Sequence, residues 1–160
     1  LVLNHGTYDR VPAQEMEMEH LRHTMKANFE GAVNVWKVVQ PHLAPQANMV
    51  VVSSQLATRG SPHGADYAAS KAALSTWARS LALAVGPEGK RVNVLAPGYV
   101  DTDILAGDSD EKRNQRIQEV PLKRIGTGED MASIVSFLLS NDAAYITGSV
   151  LHANGGLYLP

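Results

Sequence analysis

The sequence predicts an α/β fold in which a parallel β-sheet carries helices on both faces. Three observations predict it. Short β-branched runs alternate with longer stretches of helical period. The runs are continuously apolar, as in strands covered on both sides. Segments rich in Gly, Pro and Ser separate the two kinds of stretch. Strand–helix–strand units of this sort pair in parallel and cross over in one hand, which sets helices on both faces.

The elements follow in chain order. Leu1 to Leu3 reads as the end of a buried strand, closed by a turn at Asn4-His5-Gly6. Thr7 to Glu19 is polar, contains Pro12, and reads as a loop running into a helix. Leu21, Met25, Asn28, Ala32, Trp36, Val39 and Leu43 then step by three and four, the period of an amphipathic helix ended by Pro41 and Pro45. Met49 to Ser53 is a strand, and Gln55 to Asp66 a loop. Tyr67, Lys71, Leu74, Ala78, Leu81 and Val85 share the stripe of a second helix, stopped by Gly86-Pro87 and Gly89. Arg91 to Ala96 is a strand ended by Pro97-Gly98. Asp101 to Val120, polar and charged, reads as a mobile flap; its run Asp108 to Arg113 fits a solvated loop or helix. Met131, Ile134, Val135 and Leu138 mark a third helix over Glu129 to Ser140. Ser149 to His152 is a last short strand before a turn at Asn154-Gly155-Gly156.

The bulk numbers narrow the function. A chain of 160 residues, 44% hydrophobic and 19% charged, suits one globular domain spanning 1–160. A net charge of −2 gives no electrostatic reason to expect nucleic acid or an anionic membrane as partner. No apolar run approaches the ~20 residues that cross a bilayer, and Leu1 to Asn4 lacks signal-peptide features. The absence of cysteine excludes disulfides, a thiol nucleophile and thiolate metal sites, which fits the cytoplasm. The six histidines show no ligand spacing, so no metal is expected. The chain opens inside an apolar run without a Met, and reads as a piece that starts within a strand.

The sharpest constellation is Ser54, Tyr67 and Lys71. Tyr67 and Lys71 are four apart on a helix and share a face. A neighbouring ammonium favours the phenolate and lowers the tyrosine pKa from ~10 towards a value useful for acid–base work. Ser54 ends a parallel strand, where open sheets bind ligands, and its hydroxyl suits a substrate oxygen. Taken alone, the Tyr–Lys pair also fits a core tyrosine beside a snorkelling lysine. Asn28 is polar on an apolar stripe, so its burial demands hydrogen-bond partners. Gly98, after Pro97, permits close approach to the backbone, in a plain turn or beside a ligand.

Tyr67-Ala68-Ala69-Ser70-Lys71, with Ser54 thirteen residues before the tyrosine, resembles the active-site motif of the short-chain dehydrogenases/reductases. Asn4-His5-Gly6 resembles the end of that family's Asn-Asn-Ala-Gly motif, with Leu3 and His5 departing from it. Ala144 to Gly148 and His152 to Gly156 resemble its C-terminal end, closest to the β-ketoacyl-acyl carrier protein reductase branch.

The resemblance implies a Rossmann-like doubly wound sheet of which this chain is the C-terminal part. About four strands and their helices are present, and the N-terminal βαβαβ dinucleotide half is missing. It implies Tyr67 as proton donor or acceptor, Lys71 as its electrostatic partner and ribose ligand, Ser54 as orienter, and Asn28 as holder of a relay water. Asn4, Gly6, Tyr67, Lys71, Pro97, Gly98, Val100 and Thr102 would meet the cofactor, NAD or NADP. The implied reaction interconverts a ketone and a secondary alcohol. The alternative is a silent fragment that serves only assembly. Family members pair through the helices at Leu21–Leu43 and Tyr67–Val85, which implies a homodimer or homotetramer. The branch presents basic residues to its acyl carrier protein, whereas Ala44 to Asn48 and Gly86 to Gly89 have none. A small free ketone or alcohol is therefore expected over a carrier-bound acyl chain.

Overall fold

The computed structural model describes residues 1–160. Four strands form one parallel sheet in the order β1 (Val2–Leu3), β2 (Asn48–Val52), β3 (Arg91–Pro97) and β4 (Val150–Ala153). The register runs Leu3 to Val51, Val51 to Val94 and Val94 to Val150. The helices are α1 (Met18–Met25), α2 (Gly31–Val39), α3 (Leu56–Arg59), α4 (Ala65–Val85), α5 (Asp110–Glu119) and α6 (Gly128–Leu139). No helix is long and apolar enough to cross a membrane.

Side chains alternate across the sheet, and the core divides accordingly. Leu3, Met49, Val51, Val92 and Val94 pack with Ala32 and Trp36 of α2 and Leu74, Ala78 and Ala82 of α4. Val50 and Leu95 point the other way, onto Leu138, Met131, Ile134 and Val135 of α6. The two central strands, β2 and β3, are thus covered on both sides, as their unbroken apolar runs predict, whereas Val2 of β1 and Leu151 of β4 are exposed.

Three segments differ from the sequence expectation. The single helix expected over Leu21–Leu43 is two helices joined by a π turn at Lys26–Glu30, with a 3₁₀ turn at Gln40–His42. The π turn holds Asn28, and π turns gather at functional sites. The loop expected over Gln55–Asp66 contains α3, and α4 starts at Ala65, directly after Gly64 at φ 155°. The expected mobile flap holds a 3₁₀ turn at Asp103–Leu105 and then α5, whose cap is the Ser109 hydroxyl accepting from Lys112 N. Ion pairs fasten it, Arg113 to Asp101 and Arg116 to Asp108. A helix held by a cap and charges has no apolar stripe, so hydrophobic periodicity does not reveal it.

Candidate active site

The C-terminal ends of β1, β2 and β3 open into a cleft of about 480 Å³. Ser54 reaches it directly from the end of β2. Tyr67 and Lys71 reach it from the first turns of α4, which crosses the same face of the sheet. A run of buried hydroxyls fixes α4 on β2: Ser53 Oγ and Ser75 Oγ lie 2.7 Å apart, and each donates to Lys71 O, at 3.0 and 2.8 Å. Lys71 Nζ adds a bond to Val52 O at 3.0 Å. These contacts set the helix and its reactive side chains against the strand end to within a hydrogen-bond length.

Lys71 Nζ lies 5.7 Å from the Tyr67 ring centroid. Burial pushes the Tyr67 phenol up to about 12, against a smaller downward pull from the Ser54 hydroxyl. Burial also brings the Lys71 ammonium down to about 8. This corrects the expectation of a tyrosine pKa lowered by lysine. Burial outweighs the Ser54 hydrogen bond, and Lys71 Nζ is turned to Val52 O. At neutral pH the phenol holds its proton.

Asn28 is fully buried and does not line the cleft. Its Oδ1 accepts from Thr7 N at 2.7 Å, and its Nδ2 donates to Thr7 O and Ser70 Oγ, both at 3.0 Å. Both amide hydrogens are therefore committed. Asn28 anchors the loop after β1 and ties the π turn to α4, a bond that Thr24 repeats one turn earlier by donating to Asp66 at 2.6 Å. Gly6 passes between Asn28 and Lys71: a Cβ there would stand 3.1 Å from Asn28 Oδ1 and 3.2 Å from Lys71 Nζ. A side chain there would press on both polar groups.

The residues expected along the cofactor, Asn4, Gly6, Tyr67, Lys71, Pro97, Gly98, Val100 and Thr102, all line the cleft. The set fits a nicotinamide ribose. An ammonium has three donors and Lys71 uses one on protein, which leaves donors for a sugar's hydroxyls beside the Tyr67 phenol. The reason for Gly98 differs from the expectation. A Cβ there would come within 2.7 Å of Asn154 Cβ, so the close approach is by the chain itself. His5, a turn residue, packs its ring over Gly31 and does not line the cleft.

Sequence reasoning missed the opposite wall. Tyr8 stacks on Tyr67 with ring centroids 4.6 Å apart and donates to His63 O at 2.9 Å. Its ring occupies the space a Cβ at Gly64 would need. Arg10, Gln55, Tyr99, Ile104, Leu105 and Arg116 also line the cleft. These residues come from four separate segments, and no spacing along the chain links them.

Residues 1–158 match the family model described as enoyl-(acyl carrier protein) reductase. The 3-oxoacyl-(acyl-carrier-protein) reductase of Escherichia coli is 35% identical over 161 residues, covering 99% of this chain and 66% of the relative. That of Chlamydia muridarum is 38% identical over 144 residues, covering 89% of this chain and 58% of the relative. The chain thus spans about three fifths to two thirds of these relatives' lengths. Among solved structures, a short-chain dehydrogenase/reductase (glucose/ribitol dehydrogenase) from Brucella melitensis superposes with a TM-score of 0.95 at 31% identity, covering all of this chain and 65% of that one. A 3-oxoacyl-(acyl-carrier protein) reductase from the same organism superposes with a TM-score of 0.93 at 28% identity, covering 99% and 62%. With its parallel sheet, its Ser–Tyr–Lys cleft and these matches, the chain belongs to the short-chain dehydrogenase/reductase family, on its 3-oxoacyl-reductase-like branch.

Proposed function

We propose that the protein is an NAD(P)-dependent oxidoreductase that interconverts a ketone and a secondary alcohol. The observation that carries this reading is the meeting of Ser54, Tyr67 and Lys71 in one cleft at the strand ends. In the reducing direction the Ser54 hydroxyl holds the substrate carbonyl beside Tyr67. The protonated phenol gives its proton to the carbonyl oxygen as the carbon takes up a hydride, so C=O becomes CH–OH. The hydride comes from a nicotinamide cofactor when one is bound. The Lys71 ammonium, with donors left beyond its bond to Val52 O, would bond the cofactor's ribose. Asn28 holds the loop that brings Gly6 against Lys71, so its part here is to position that loop.

A cytoplasmic enzyme acting on a small free carbonyl compound fits this reading. So does assembly into a dimer or tetramer through α2 and α4, where Val38 and Leu83 are exposed. Tyr67→Phe tests the reading. It removes the transferable proton and keeps the ring stacked under Tyr8. Turnover of a ketone panel with NADH and NADPH should fall by about 10²–10⁴-fold with thermal stability kept; near-normal turnover overturns the assignment.

A further inference from the structure

The charge lining the cleft is one-sided. Its charged side chains are Arg10, Lys71 and Arg116, and no Asp or Glu lines it. Lys71 belongs to the proton-transfer wall. Arg10 and Arg116 stand on the opposite wall and share one carboxylate. Arg10 Nη1 donates to Asp108 Oδ1 at 2.9 Å, and Arg116 holds both Asp108 oxygens through Nε and Nη2. The Asp108 side chain is only 1% exposed and lies behind the wall. One carboxylate against two guanidiniums leaves a positive charge in a cleft with nothing anionic to meet it.

The two arginines are unequal. The Arg116 side chain is 11% exposed, makes two bonds to Asp108 and lies over the Tyr99 ring at 4.5 Å, so it is built into the wall. The Arg10 side chain is 41% exposed, spends one nitrogen on Asp108 and reaches Ile104 O only at a weak 3.4 Å. Most of its five donors are uncommitted. Arg10 also stands close to the chemistry. One residue, Asp9, separates it from Tyr8, at most about 7 Å of chain, and the Tyr8 ring lies on Tyr67. The planar fork of a guanidinium matches a carboxylate with two parallel bonds, and the partly enclosed site strengthens the pairing.

We propose that Arg10 is a specificity residue that binds a carboxylate on the substrate, so that the cleft takes free oxo acids, or hydroxy acids in the reverse direction, ahead of their esters and thioesters. This rests on the oxidoreductase reading above. The phosphates of the dinucleotide are the other anions that such a charge attracts, and the test separates the two.

The probes are 4-oxopentanoate and its methyl ester, which share a ketone and differ in one charge. Wild type and Arg10→Gln are compared for kcat/KM on both, with KM for NADH and NADPH measured alongside. Calorimetric titration of both probes reads the same preference without turnover. Wild type should favour the acid, and Arg10→Gln should lower kcat/KM and affinity for the acid by about 10- to 100-fold with the ester nearly unchanged. Arg10→Lys, which keeps the charge, should recover part of the loss. Equal losses on acid and ester would make Arg10 a mere brace of the wall, and a rise confined to the cofactor KM would give its charge to the phosphates. Either result overturns the proposal, as does a wild type indifferent to the charge. Absent turnover with acid-selective binding intact counts instead against the oxidoreductase reading.

Discussion

The two walls of the cleft are built by different means. On one, Ser54, Tyr67 and Lys71 sit on or beside β2 and α4, are nearly buried, and are held by short hydroxyl–carbonyl bonds between those two elements. On the other, Tyr8, Arg10 and Arg116 hang from a loop and a short charged helix. They are held by contacts that span much of the chain, Arg10 to Asp108 being 98 residues apart. The first wall is tied to the sheet, and under the proposed function it would serve any carbonyl alike. The second stands on loop and helix segments outside the sheet, and its integrity depends on the ion pairs at Asp108.

That contrast can be broken at the mouth with the largest effect. Arg116→Met leaves the buried Asp108 carboxylate with Arg10 as its sole partner, and loss of a buried ion-pair member costs about 3–5 kcal/mol. Denaturant unfolding should register about that loss, and protease cleavage within α5 should become faster. A change below about 1 kcal/mol would mean that the ion pair does not fasten this helix. Asp108 makes the same point through pH. Its carboxyl is held down at about 2 by the neighbouring guanidiniums. The folded value lies below the ordinary one, so the stabilisation is complete above about pH 4 and is lost as pH falls through about 2.

The next effect lies where the walls meet. Asn28→Ala strands the Thr7 backbone and Ser70, and each orphaned group costs about 1–3 kcal/mol where water cannot replace the bond. We expect a loss of about 2 kcal/mol in thermal or denaturant unfolding, with turnover lowered because the loop carrying Tyr8 and Arg10 comes loose. Slowed turnover at unchanged stability would favour the proton relay over the anchor.

The smallest effect sharpens the first wall. Burial lowers Lys71 to about 8 from its ordinary 10.5, so the unfolded chain keeps this proton to higher pH than the folded one. Stability should therefore rise with pH from about 8 towards 10, by at most about 1.4 kcal/mol per pH unit. Lys71→Met should abolish that rise. Above about pH 10 Tyr67 acts oppositely, because the folded phenol stays protonated up to about 12 while the unfolded one ionises. Denaturant midpoints for both proteins across this range check the sign.

The legible part of the site follows the same division. Tyr67 and Lys71 are readable because a helix turns a spacing of four into a shared face, and Ser54 because a parallel strand ends at the ligand side of its sheet. Asn28 stands out as a polar residue on an apolar stripe, but the π turn that aims it at Thr7 has no period of its own. Tyr8 and Arg10 look like ordinary loop residues. Their neighbours, Tyr67 and Asp108, are 59 and 98 positions away, so only the folded chain brings them together.

By itself the sequence determined the alternation of strands with the long helices, the placing of helices on both faces of the sheet, and the meeting of Ser54, Tyr67 and Lys71. Each depends on local period or spacing, which the backbone converts directly into a face. The tertiary structure alone decided which charges enter the cleft, and it reversed the expected shift of the Tyr67 phenol. The physical reason is that charge balance and desolvation are set by distance through space and by exclusion of water, and neither quantity is carried by neighbours along the chain.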